Sequence, residues 1–284
     1  MVSDELVKAT GASHEGKLRL LEPGDISAAM DLSSLAGWNQ TADDWRRLIE
    51  LDRKGCFAIE VEGSLAGTTT LMCYGERLAW VGMVLTRPEY RRQGFAHHLL
   101  TLALRRADQL GIQTVKLDAT EQGQSLYESL GFRAEQAVER WARDGLADAK
   151  PKITNQRWQK DWAEFDLEAF GVDRSSLLRL LAEYNPPTQI GRAYVFSRLG
   201  RLSSYIGPCV SLSRKSASHL IEQCMSATAA VAWSWDLLPS NHNARALAVD
   251  LGFKLQRRLL RMVRGKDLKG KEESVYAIAG FEFG

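Results

Sequence analysis

The sequence predicts an α/β chain of the α+β kind, organised as two tandem copies of one fold, each a mixed and mainly antiparallel sheet flanked by helices. Three observations lead there. The chain has 284 residues, more than the roughly 100–200 of a single domain. Short β-like runs alternate with longer helical ones. The stretch LYESLGF at 126–132 returns as LAVDLGF at 247–253. The repeat extends beyond those seven residues: YGERLAWVG, with Gly75 and Gly82, matches LGRLSSYIG, with Gly200 and Gly207. Each copy then continues through a helix, a strand ending in aspartate (TVKLD and AWSWD) and a short helix closed by LGF.

The elements follow in order. KLRLL (17–21) reads as a strand and about 25–35 as a helix. TADDWRRLIEL reads as a second helix with Thr41 as N-cap ahead of two acidic residues, which suit the positive end of the helix dipole. CFAIEVEG, LAGTTTLMCYG and RLAWVGMVLT read as three successive strands joined by polar turns. From Phe95, the residues Ala96, Leu99, Leu100, Ala103, Ala107 and Leu110 mark one helical face, which Gly111 terminates. TVKLD is the next strand, about 122–130 a short helix ending at Gly131, and Phe132 into VERW a further strand. A polar stretch broken by Pro151 then marks a connector. The expected division is 1–145, a linker at 146–166, and 167–284.

Composition excludes several classes. A net charge of +2 argues against a nucleic-acid partner gripped by bulk positive charge. No apolar run approaches a membrane span and the amino terminus has no apolar signal core, so no membrane partner and a cytoplasmic location are expected. Cys56, Cys73, Cys209 and Cys224 show no paired spacing, and His14, His97, His98, His219 and His242 form no ligand pattern. Neither a disulfide framework nor a metal site is expected.

The chemistry points to RPEYRRQGFAHHLL, 87–100, between the third of those strands and the long helix. A helix start leaves its first N–H groups unpaired and carries partial positive charge, so a loop entering it can hold a pyrophosphate. Gly94 lets the backbone approach closely, Ala96 keeps the first turn thin, and Arg91 and Arg92 attract an anion. Arg91, Gly94 and Ala96 fit R/Q-x-x-G-x-G/A. With GWNQTADDW, WVGMVL and LDATEQGQSLYESLGF, followed by a degenerate second copy, the chain resembles the GNAT superfamily of acetyl-coenzyme A dependent N-acetyltransferases, and within it the bacterial tandem-GNAT group.

That resemblance implies acetyl transfer from acetyl-coenzyme A to a primary amine of a small-molecule or peptide acceptor, by direct attack in a ternary complex. The implied cofactor contacts are Val84, Leu85 and Thr86 on the strand, Arg91, Arg92, Gln93, Gly94, Phe95, Ala96 and His97 on the loop and helix start, and Thr120. In the family motif N-x-x-A-x-x-x-Y, Tyr127 takes the place of the tyrosine that protonates the departing thiolate. Thr120 and Gly123 stand where the motif has asparagine and alanine. Asp118, ending its strand, is a candidate base or equally a helix-starting residue. Trp38, Asn39 and Trp45 would line the acceptor side, or be core. His97 and His98 read as a helix face beside the cofactor. In the second copy Asn241 and Ala244 restore the motif, but Ala248 replaces the tyrosine. Its loop, PCVSLSRKSASHL, has no glycine and is shorter: Gly82 to Leu99 spans 17 residues, Gly207 to Leu220 only 13. One active domain and one acetyl-coenzyme A per chain are expected. A non-catalytic acyl-coenzyme A sensor is the alternative.

Overall fold

A computed structural model describes residues 5–7, 14–145, 160–228 and 230–284; most of the expected linker lies outside the described residues. The first half runs β1 (Glu5–Val7), β2 (Gly16–Leu20), α1 (Ile26–Leu35), α2 (Ala42–Leu51), β3 (Cys56–Val61), β4 (Ser64–Tyr74), β5 (Leu78–Thr86), α3 (Phe95–Gln109), β6 (Thr114–Ala119), α4 (Gln124–Ser129) and β7 (Arg133–Asp144). The second runs α5 (Lys160–Phe170), α6 (Ser175–Tyr184), β8 (Thr188–Ile190), β9 (Ala193–Arg198), β10 (Ser204–Val210), α7 (Arg214–Ala227), β11 (Ala232–Leu237), α8 (His242–Asp250), β12 (Lys254–Gly265) and β13 (Val275–Ala277).

Local chemistry accounts for the element ends. Thr41 caps α2, its hydroxyl accepting from the Asp44 amide while the Asp44 carboxylate accepts from the Thr41 amide (2.7 Å). On α3 the buried stripe is Phe95, Leu99, Leu100, Ala103, Leu104 and Ala107. Leu110, expected in that stripe, is 43% exposed, because the helix closes at Gln109 and the chain turns away through Gly111 at φ +68°. Gly131 (φ +85°) and Gly252 (φ +76°) end the two repeated short helices in the left-handed region that favours glycine. Trp162, in the expected connector, is fully buried, its ring 6.3 Å from Tyr194.

The fold is a mixed α/β arrangement with a mostly antiparallel sheet. Its strand order is β1-β2-β3-β4-β5-β6-β12-β7-β11-β10-β9-β8, with β13 pairing β10 off that path. The halves exchange strands. β12, from the second half, lies against β6, with Arg261 opposite Asp118; β7, from the first, lies against β11, with Trp141 opposite Trp235. The exchanged strands also pair with each other. One apolar core, with Trp45, Trp80, Trp141, Trp162 and Trp235, therefore runs through both halves, and a second lies under α3. The strand exchange removes sheet edges between the halves and ties them into one packed body.

Candidate active site

β5 and β6 pair in parallel only at Leu78, Ala79 and Trp80 opposite Thr114, Val115 and Lys116. Beyond Trp80 they part. The cause lies on the other edge of β5, where the register with β4 shifts between Thr68 and Thr70. Met83 there takes φ +49°, held by the Thr68 hydroxyl donating to its carbonyl (2.8 Å). A positive φ on a long side chain is strained and persists only where its surroundings impose it. The result is a wedge walled by Val81, Gly82, Met83 and Val84 on one side and Leu117, Asp118 and Thr120 on the other. Leu85 is buried and Thr86 half-buried at the outer end.

From Thr86 the chain crosses a 3₁₀ turn at Pro88–Tyr90 into the loop. Arg91 donates through Nε to the Thr86 carbonyl (3.2 Å), and Arg92 takes φ +62°. Gln93 bonds the Glu89 carbonyl (3.1 Å) and meets His14 (3.2 Å). Gly94, at φ +79°, opens α3 without a side-chain cap. The first intrahelical bond runs from the His98 amide to the Gly94 carbonyl (3.0 Å), so the amides of Phe95, Ala96 and His97 precede the helical ladder. Phe95 is buried and anchors the turn, Ala96 is half-buried, and His97 is exposed at the rim. Arg92 and Gly94, both at positive φ on either side of Gln93, turn the backbone just ahead of the helix start, where the unpaired N–H groups are suited to an anion.

Tyr127, on α4, is 9% exposed, lines the wedge and meets Phe132 edge-on (6.1 Å). Burial pushes its hydroxyl up to about 12. A Cβ at Gly123 would lie 2.8 Å from the Tyr127 ring, so the missing methyl there is what admits this ring position. Thr120 reaches the wedge with its hydroxyl uncommitted to helix capping. Asp118 also lines it, but its buried carboxylate accepts two bonds from Arg261 (2.9 and 3.0 Å).

Trp38 and Asn39 lie on the wall, while Trp45 is core, its indole donating to the Ser33 hydroxyl. Asn39 braces the second half: its amide donates to the Ser203 carbonyl (2.9 Å) and its oxygen accepts from the Leu202 and Ser203 amides (2.7 and 3.0 Å). Sequence reasoning missed the rest of this wall, which comes from the exchanged strands and the 278–284 segment: Arg140, Arg257, Leu259, Phe281 and Glu282. Glu282 pairs with Arg198 (2.7 Å), yet burial still lifts its carboxyl above the ordinary carboxylate range. A Cβ on Gly82 would sit 2.9 Å from the Glu282 Cα, so only glycine lets this segment approach β5. FEFG carried no spacing that announces such a role.

The second half closes the corresponding wedge. β10 and β11 likewise pair in parallel over three residues, Ser204 to Ile206 opposite Trp233 to Trp235. Past that point β13 enters, with Ala277 opposite Cys209 and Val275 opposite Val210, the repeat counterparts of Val84 and Leu85. Asn241 donates its side-chain amide to the Glu273 and Val275 carbonyls (3.0 Å each). α7 starts at Ser213, whose own hydroxyl accepts from the Ser216 amide (3.1 Å). Among the described residues no group of three His, Cys, Asp or Glu could hold a metal ion, and no helix is long and apolar enough to cross a membrane.

Comparison with known proteins agrees with this repeat. Residues 28–132 match the acetyltransferase (GNAT) family and residues 163–277 an acetyltransferase (GNAT) domain. The Bacillus subtilis strain 168 protein described as "Uncharacterized N-acetyltransferase YitH" is 27% identical over 186 residues, spanning 63% of this chain and 61% of that protein, less than two thirds of its length. A putative acetyltransferase from Pyrococcus horikoshii superposes with a TM-score of 0.78 at 19% identity, over 95% of this chain and 96% of that one. A tandem GNAT protein from the clavulanic acid biosynthesis pathway gives 0.56 at 16% identity, over 88% and 98%. At these identities the two structures speak for the fold.

Proposed function

The chain belongs to the GNAT acetyltransferase family and carries two such domains in tandem, and from that premise we propose that its first half transfers an acetyl group from acetyl-coenzyme A to a primary amine. One observation carries the reading: past Trp80 the β6-facing edge of β5 has no strand partner, it borders a wedge that Tyr127 also lines, and β5 leads on through Thr86 and the loop to the glycine-started helix. The residues present fit the cosubstrate. The amides at Gly94–His97 with Arg91 and Arg92 would receive its pyrophosphate, and the β5 backbone at Met83–Leu85 would pair with its amide-bearing arm as an added strand.

When bound, the cosubstrate supplies an activated acetyl thioester. The acceptor nitrogen, reacting as the neutral amine, forms a bond to the acetyl carbon, the carbon–sulfur bond breaks, and Tyr127 gives its proton to the departing sulfur. The proton the nitrogen loses passes through solvent to restore the tyrosine. Tyr127 lines the same cavity as the unpaired edge of β5, which supports this role. Asp118, committed to Arg261, serves as a positioning residue in this reading. The second half contributes wall residues in place of a second site. Coenzyme A release with a panel of primary amines tests the proposal. Tight acetyl-coenzyme A binding with no release from any amine would assign the chain to the sensor class.

A further inference from the structure

Four arginines lie on β12. Three have carboxylate partners: Arg258 with Glu139 (3.1 Å), Arg261 with Asp118 (2.9 Å) and Arg264 with Asp108 (2.8 Å). Arg257, the one that lines the wedge, has neither an ion-pair nor a hydrogen-bond partner among the described residues, and its Nε is buried without one. Its register neighbour makes this more costly. Arg257 stands directly opposite Arg140 on β7, and like charges so placed repel. Arg140 is neutralised by Asp236, which it grips through two nitrogens. Arg257 is not.

The guanidinium is nevertheless held in place. The Phe281 ring lies under both arginines, its centroid 4.5 Å from the Arg140 Cζ and 5.4 Å from the Arg257 Cζ. Such a contact fixes a cation by its face and leaves its N–H edge available. The surrounding charges are one negative group short: Arg47, Arg140, Arg198 and Arg257 face Asp44, Asp236 and Glu282. A half-buried, repelled and unpaired cation is unfavourable for folding alone. A monoanion arriving with the substrate would relieve it.

We propose that Arg257 receives a carboxylate of the acceptor, so that the substrate is an amino acid or a similarly carboxylate-bearing primary amine. This rests on the acetyl-transfer reading and names its substrate class. The carboxylate lies at the wall made by β12 and Phe281, the amine toward Gly82 and Tyr127 in the same cavity. A guanidinium fork matches a planar carboxylate, and the shortfall of one charge favours it over a phosphate dianion.

The test compares matched acceptors: lysine with cadaverine, arginine with agmatine, tyrosine with tyramine, and phosphoethanolamine as the phosphate-bearing amine. Coenzyme A release should show kcat/KM at least tenfold higher for the amino acid of the preferred pair. The preference should fall by on the order of 10- to 100-fold in Arg257→Met, the usual weight of a charge-assisted bond, and be partly retained in Arg257→Lys. N-acetylated amino acids, as products, should raise the melting temperature of the wild type and not that of Arg257→Met. Equal use of the decarboxylated amines, a preference surviving in Arg257→Met, or better use of phosphoethanolamine would overturn the assignment while leaving acetyl transfer standing. If no amine is acetylated but the N-acetylated amino acids still protect only the wild type, the carboxylate site stands and acetyl transfer falls. No protection by any carboxylate removes the site.

Discussion

The Asn241 side chain donates to the Val275 carbonyl at 3.0 Å. In the repeat this asparagine occupies the place that the family motif reserves for cofactor contact, and here the chain's own strand β13 takes up the bond. Val275 and Ala277 also pair with Val210 and Cys209 along the edge that the corresponding first-half residues, Leu85 and Val84, keep open. The α7 start is satisfied by Ser213. One acetyl-coenzyme A per chain is therefore expected from calorimetric titration. A stoichiometry of two would mean that β13 can be displaced.

Gly94→Glu should abolish that single binding event. The position has φ +79°, which an L side chain rarely adopts, and a carboxylate there would repel phosphates from the unpaired amides. Far-UV circular dichroism should stay native, since the glycine is half-buried at a loop. Wild-type affinity in the variant would detach this loop from the site.

Tyr127→Phe should lower turnover by on the order of 10² to 10⁴, the usual contribution of a positioned proton donor, with little change in acetyl-coenzyme A affinity. The packing against Phe132 survives the change, so the loss should be in kcat and not in melting temperature. Turnover near wild type, measured where chemistry limits the rate, would make Tyr127 a packing residue only.

The pH profile should carry a related signature. Burial raises Tyr127 to about 12, and a raised pKa keeps the neutral, proton-bearing form to higher pH. Between pH 7 and about 10, close to the unperturbed tyrosine value, kcat should show no alkaline fall due to this group. A descending limb near 9 in the wild type that vanishes in Tyr127→Phe would contradict the burial seen here.

Local chemistry made much of this protein legible in its sequence. The Thr41 cap, the glycine helix ends and the alternating strands all depend on residues within a few positions of each other. Gly94 and Tyr127 could be singled out because motif spacing survives in one dimension. The acceptor wall could not. Arg140, Arg257 and Glu282 reach the wedge only because β7 and β12 change places, and no local period encodes which distant strand a segment will join. Asn39 lines the wedge, as expected of an acceptor-side residue, but its side-chain amide also holds residues 202 and 203, more than 160 positions away, which no local pattern announces.

The strand exchange bears on whether Asp118 is a base or a structural residue. Each half has a strand ending in aspartate, Asp118 on β6 and Asp236 on β11. Each aspartate grips, through two oxygens, an arginine on the exchanged strand beside it: Arg261 on β12 and Arg140 on β7. The pairs recur in both halves, although only the first has a tyrosine at the motif position. A role shared by an active and an inactive copy is one of assembly. Asp118→Asn should then destabilise the fold by about 3–5 kcal/mol, because it leaves Arg261 buried without its counter-charge. The double change Asp118→Leu with Arg261→Met should recover much of that loss, since a packed apolar pair can replace a buried ion pair. Thermal or denaturant unfolding of the single and double variants reads this directly. If Asp118→Asn melts like the wild type while turnover collapses and the acid limb of kcat/KM disappears, Asp118 is the base and the pairing with Arg261 is secondary.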